Sequence, residues 1–287
     1  MSHNTRSQPR LAVLVDADNA SAAIIEGLLD EVARYGIATV KRIYGDWTSS
    51  HMSSWKRVLL EQALQPIQQF AYTAGKNATD SALIIDAMDL LHGGDLDGFC
   101  IVSSDSDFTR LASRLRESGK KVYGFGEEKT PSAFVAACDL FIYTDVLRAP
   151  VAEPVPAPAG APAPAAPAAP VAPKKPRPVP VAFITQAIGD VSGDDEWVNL
   201  GQLGSHLTKL RPNFDPRLFG FPKLSSLVRS LSGLEVKQLS QGNGMATVVR
   251  VRPTKAAPRT APKTAPQTTP KTASKATAKT PSKTPTA

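Results

Sequence analysis

Along the first 150 positions the hydrophobic pattern changes period repeatedly, from short apolar, β-prone runs to helical spacing and back. Residues 11–15 (LAVLV) read as a buried strand. Over 21–35, Ile25, Leu28, Leu29 and Val32 recur at helical spacing until Gly36 stops the helix. The same reading gives a strand at 38–44, a helix at 55–64 and, after Pro66, a short strand through Phe70. A helix at 80–92, a strand at 98–103, a helix at 106–118, a strand at 121–125, a helix at 131–137 and a strand at 139–143 follow. Strand and helix alternate throughout, which predicts parallel strands joined by right-handed crossovers, with helices on both faces of a doubly wound α/β sheet.

Beyond residue 180 the pattern changes character. Residues 181–190 and 199–210 have helical spacing, the PNFDP turn leads to a third helix at roughly 221–231, and LEVKQL and MATVVRV alternate in period two around QGNG, a tight-hairpin signal. Three short helices and a hairpin make a small winged-helix module, a type that binds nucleic acid in some proteins and protein in others. Between and after these segments, composition decides. Of the 25 prolines, 19 lie in 150–180 and 253–287, stretches of Ala, Pro, Thr and Lys with too little apolar surface to offset chain entropy. The expected organisation is therefore a folded domain at 10–146, a Pro/Ala linker at 150–180, a winged helix at 181–252 and a disordered basic tail at 253–287. Such a linker is expected to be semi-rigid and extended, tethering two independent domains.

Charge adds a second asymmetry. Asp and Glu outnumber Lys and Arg by 19 to 15 over residues 1–149, whereas the tail carries seven basic residues and no acid, a contribution equal to the whole net charge of +7. A tail of this kind reads as a sequence-blind nucleic-acid arm, with a merely solubilising segment as the plainer alternative. Cys100 and Cys138 provide neither a disulfide framework nor a zinc quartet. The N-terminus lacks the apolar stretch of a signal peptide and no run approaches a membrane span, so the expectation is a cytoplasmic protein without membrane contact.

The chemistry sits where strands end. LAVLVDADNA runs a strand into Asp16, Asp18 and Asn19; GKNATD places Asp80 at the start of a helix; FCIVSSDSDF ends another strand on Asp105 and Asp107. In an open parallel sheet, carboxyl ends of strands meet at one edge, and doubly wound order would put Asp16, Asp105 and Asp107 in one crevice. Asp80 joins them at a helix N-terminus, where the dipole favours an anion. Hard oxygen ligands in partial number suit Mg²⁺ or Mn²⁺ and phosphate chemistry. Each aspartate taken singly reads more simply as a helix cap. Four at such positions, with no base beside them, favour a site, with Asp18 and Asn19 in support. Asp86, six residues after Asp80, points about 120° away on a helix and is held in reserve. Lys76, Arg110 and Arg114 are candidates to hold phosphate, and Trp47 and Trp55 to stack a base. His3, His51, His92 and His206 are scattered, which leaves a metal-free two-histidine mechanism without support.

Together LVDADN, KNATD and SSDSDF resemble the NYN family of PIN-like nucleases over about residues 10–146. The resemblance implies RNA hydrolysis with divalent metal held by Asp16, Asp80, Asp105 and Asp107. Residues 197–228 resemble an OST-HTH or LOTUS module, which implies binding of RNA or of a protein partner such as a helicase. The basic residues around its second and third helices are Lys209, Arg211, Arg217, Lys223 and Arg229, while Phe219 and Phe221 read as core. A haloacid-dehalogenase phosphatase also opens on Asp-x-Asp, but Asn19 and Ala20 and the later SDSD spacing depart from that pattern. The expectation is a metal-dependent ribonuclease with Asp16 and Asp105 as central ligands and Asp80 and Asp107 as further ligands or water-orienting groups. The alternative is a non-catalytic RNA-binding regulator that keeps the fold.

Overall fold

The computed structural model describes residues 8–70, 78–147, 176–192, 196–241 and 244–252. The tail and most of the Pro/Ala segment thus lie outside the described residues, and so does Lys76. Six strands, β1 (Arg10–Asp16), β2 (Ile37–Gly45), β3 (Gln65–Gln68), β4 (Gly98–Val102), β5 (Lys121–Gly126) and β6 (Leu140–Tyr143), form one parallel sheet in the order β3-β2-β1-β4-β5-β6. Five helices connect them: α1 (Ile25–Val32), α2 (Trp55–Glu61), α3 (Ala78–Gly93), α4 (Phe108–Glu117) and α5 (Ser132–Ala137). The doubly wound α/β class expected from the alternation is the one observed.

Period-two alternation sorts the central strands between two cores. Ala12 and Leu14 of β1, with Phe99 and Ile101 of β4, face Leu83, Phe108, Leu111 and Phe134 of α3, α4 and α5. Leu11, Val13 and Val15, with Cys100 and Val102, face Ile25, Leu28 and Trp55 of α1 and α2. Both faces of β1 and β4 are thereby covered, as a parallel sheet requires. The expected 21–35 helix is divided, because Ser21 caps a 3-10 turn at Ala22–Ile24 by accepting from the Ala23 N–H before α1 begins. Pro66 sits on the edge strand β3, the position in a sheet where a missing N–H is tolerated.

The second module contains α6 (Val181–Ser192), α7 (Leu200–Leu210) and α8 (Leu224–Ser230), with the hairpin β8 (Leu234–Gln241) and β9 (Gly244–Val251). A strand not expected from sequence, β7 (Val198–Asn199), pairs antiparallel with β9 to complete a three-stranded sheet. Two residues are too few to show a period. Its core gathers Ile184, Leu203, Leu207, Leu227, Val228 and Val249. Among the described residues no helix is long and apolar enough to cross a membrane. Cys100 and Cys138 are free and buried.

The two modules touch, which replaces the expectation of independent domains on a tether. Along the edge strand β6, the Phe141 N–H donates to the Pro212 carbonyl at 2.9 Å, and Asn213 Nδ2 donates to the Tyr143 hydroxyl at 2.9 Å. Arg177 lies over the Tyr143 ring and donates to Glu128. At the end of α1, Glu31 is 3% exposed and accepts from the Tyr35 hydroxyl at 2.9 Å, while Arg34 and Arg217 pair with it at 3.2 and 2.8 Å. Asp215 grips the same Arg217 guanidinium through Nε and Nη2. A buried carboxylate demands this compensation, and its partner stands 186 residues away, beyond the reach of any local pattern. Arg217→Ala leaves Glu31 with Tyr35 and the largely exposed Arg34. The variant is expected to lose about 2–3 kcal/mol of stability, measured by thermal denaturation. An unshifted midpoint would show that the two modules are not energetically coupled.

Candidate metal centre

Strand order reverses between β1 and β4, so the loops leaving their carboxyl ends diverge and open a crevice. Asp16, the last residue of β1, forms its fully buried floor. Its Oδ1 accepts the N–H groups of Asp18 and Asn19 at 3.1 and 3.3 Å, and its Oδ2 accepts Asn19 Nδ2 and Ser103 Oγ, both at 2.8 Å. Burial raises the Asp16 pKa, against the lowering effect of the Asn19 and Ser103 hydrogen bonds. Ser103 ties the two strand ends together: its hydroxyl donates to Asp16 and accepts the Asp105 N–H at 3.1 Å. Asp105 Oδ1 then accepts the Asp107 N–H at 3.0 Å, turning the SDSD loop back on itself. Behind it, Ser104 Oγ accepts the Glu127 N–H at 2.8 Å and anchors the loop to the end of β5.

Asp80, in the first turn of α3, reaches the same crevice. One carboxylate oxygen each from Asp80, Asp105 and Asp107 lies within 4.8 Å of the others, with Asp80 buried, Asp105 half-buried and Asp107 exposed. Asp80 is pushed up to about 6, first by burial and then by repulsion from Asp16, Asp105, Asp107 and Asp18. Capping does not account for Asp107, which occupies the N-cap of α4 without a side-chain capping bond. Three hard oxygens this close together, one of them on the buried Asp80, are a donor set suited to a divalent cation. The close trio differs from the expected pairing of Asp16 with Asp105 as central ligands: Asp16 lies beneath it with donors on both oxygens.

The other expected residues fall in different places. Arg110 and Arg114 extend along α4 away from Asp107, toward Glu117 at 3.8 Å and Ser118 at 2.9 Å respectively. Trp55 is core, and the Trp47 indole donates to the Ile67 carbonyl. Asp86 accepts from Arg42 and Tyr44, each at 2.8 Å, and belongs to that network. In the second module Lys209, Lys223 and Arg229 are exposed, Arg211 stacks on Phe183 at 4.0 Å, and Arg217 is engaged by Glu31 and Asp215. Sequence reasoning passed over Ser103 and Ser104, although SSDSD displays both; their roles depend on partners 87 and 23 residues distant. It also passed over Trp197, whose ring lies 4.6 Å from both Lys237 Nζ and the Arg250 guanidinium carbon.

With this geometry in view, comparison with known families is decisive. The NYN domain model matches residues 10–147. This part of the chain is an NYN domain. An OST-HTH/LOTUS domain follows over residues 173–246. NYN domains belong to the PIN-like nucleases, and OST-HTH/LOTUS domains bind RNA. No functionally curated protein matches the chain. Among solved structures it is similar to a protein of unknown function from Vibrio parahaemolyticus, at 18% identity and a TM-score of 0.42, over 50% of this chain and 96% of that one. An uncharacterized protein from Nitrosomonas europaea matches at 30% identity and a TM-score of 0.27, over 36% of this chain and 97% of that one. Part of a protein from Chromobacterium violaceum matches at 32% identity and a TM-score of 0.23, over 28% of this chain and 87% of that one.

The NYN crevice should be costly to the protein without metal. Asp80 binds its proton more tightly folded, at about 6, than unfolded, near 3.8, so ionisation removes stability as pH rises between those values and the loss is complete above pH 6. In EDTA at pH 7, Asp80→Asn is expected to raise stability by about 2 kcal/mol in thermal melts, with no such gain at pH 3.5. Millimolar Mg²⁺ or Mn²⁺ should stabilise the parent protein and barely move the variant. A parent protein indifferent to both cations would remove the metal assignment.

Proposed function

We propose that this NYN-domain protein is a divalent-metal-dependent ribonuclease that hydrolyses RNA phosphodiester bonds in the cytoplasm, with its OST-HTH/LOTUS domain holding RNA. The observation that carries the reading is the convergence of Asp80, Asp105 and Asp107 at the strand-order reversal, on top of a buried Asp16. These three carboxylates would hold Mg²⁺ or Mn²⁺. When bound, the cation supplies activation of a water nucleophile and neutralisation of charge gathering on the phosphate. The chain's own contribution is orientation. Ser103 and Asn19 fix the Asp16 carboxylate, and the Ser103 and Asp105 hydrogen bonds fix the loop that carries two of the three ligands. Asp16, through Ser103, orients the loop that carries Asp105 and Asp107, and its carboxylate would add negative charge near a bound cation. Two buried, unpaired cysteines accord with a reducing compartment.

The test is incubation of the purified full-length chain with labelled single-stranded RNA in Mg²⁺, Mn²⁺ or EDTA. Products are expected with either cation and absent in EDTA, and Asp105→Asn should lower the rate by about two orders of magnitude or more. Metal-dependent products that persist undiminished in both Asp80→Asn and Asp105→Asn would place the chemistry elsewhere. RNA binding without products would make the chain a non-catalytic RNA-binding regulator. Covalent phosphate on Asp16, read by intact mass, would instead mark a phosphatase.

A further inference from the structure

Where the two domains meet, they leave an open groove of about 770 Å³. Arg34 and Tyr35, just past α1, and Lys121 and Tyr123 of β5 line one wall; Lys209 at the end of α7 and Lys223 at the start of α8 line the other. The acids that share the groove already have cations: Arg217 and Arg34 for Glu31, Arg217 for Asp215, and Arg116 and Lys121 for Asp139. Lys209 and Lys223 form no ion pair among the described residues, and both are exposed. The groove therefore carries positive charge in excess of its own acids. It also carries an aromatic surface, because the half-buried Tyr35 and Tyr123 rings stack at 4.9 Å. Spare cations that seek phosphate beside rings on which a base can stack are the features of a site for single-stranded nucleic acid.

Lys121 opens β5 at its amino end, whereas the aspartates crowd the carboxyl edge of the sheet. Six residues of strand separate the two levels, about 20 Å. We propose that the seam groove is a second RNA contact, shared by the NYN and OST-HTH/LOTUS walls and remote from the metal centre, that grips the substrate strand by its phosphates. The proposal rests on the ribonuclease reading for the identity of its ligand. Its specific content is that neither wall suffices, so the docking of the modules creates an affinity that each lacks alone.

The test is fluorescence anisotropy of a labelled single-stranded RNA long enough to span both levels, titrated with full-length protein in EDTA across a salt series. The winged-helix wall is altered by Lys209→Gln with Lys223→Gln, and the NYN wall by Arg34→Gln with Lys121→Gln. Because Arg34 also pairs with Glu31 and Lys121 with Asp139, which keeps Arg116 as a second partner, Lys121→Gln is measured alone as well, and thermal melts check each fold. Each pair is expected to weaken binding several-fold and to reduce the salt slope by about 1.4, or about 0.7 for Lys121→Gln alone. If only the winged-helix pair has an effect, that domain binds RNA unaided and the shared site is overturned. If neither pair has an effect while the parent protein binds RNA, the groove is overturned and the ribonuclease reading stands. A parent protein that binds no RNA overturns both.

Discussion

Mutual repulsion of carboxylates at the carboxyl edge of the sheet is the constraint around which the NYN domain is arranged. Asp16, Asp80, Asp105 and Asp107 come from three separate segments, and only the sheet and its crossovers hold them together. The rest of the domain compensates. Asp16 is buried outright, so each of its oxygens carries two donors, three from its own turn and one hydroxyl from Ser103, just past β4. The strands beneath are apolar on both faces, and their rigidity keeps the acids from separating. Remaining repulsion is concentrated on Asp80, where a cation would relieve it.

Most of this arrangement was legible before any coordinates. Unbroken apolar runs announced β1 and β4, helical spacing announced α1 and α4, and the position of aspartates just beyond the runs placed them at one edge. What escaped was relational. Whether Asp16 or Asp80 stands nearer Asp105 depends on the depth of each backbone in the crevice, and composition does not encode depth. The serines of SSDSD were overlooked because a hydroxyl reveals its role only through its partner. Asp86 displays the same limit in reverse: an acid on the helix of a ligand, it is satisfied by Arg42 and Tyr44 of a neighbouring strand.

The docking of the two modules was the least legible feature, because a Pro/Ala linker suggests separation and each module has a complete core of its own. Glu31 resolves the matter physically. Its carboxylate is nearly inaccessible to water, and much of its compensation comes from Arg217 and, through that guanidinium, from Asp215. Basic residues that composition offers equally to RNA are thereby divided, with Arg217 spent on cohesion and Lys209 and Lys223 left facing the seam.

The same docking bears on how the sheet ends. A parallel sheet of six strands has two borders, each a row of backbone groups able to recruit a strand from another molecule. At one border, Pro66 interrupts β3 with a residue that has no N–H to offer. At the other, the Phe141 N–H of β6 is occupied by the Pro212 carbonyl. The module fastened beside the NYN domain thus also serves as an edge guard, and a chain deprived of it would present β6 as a template for self-association.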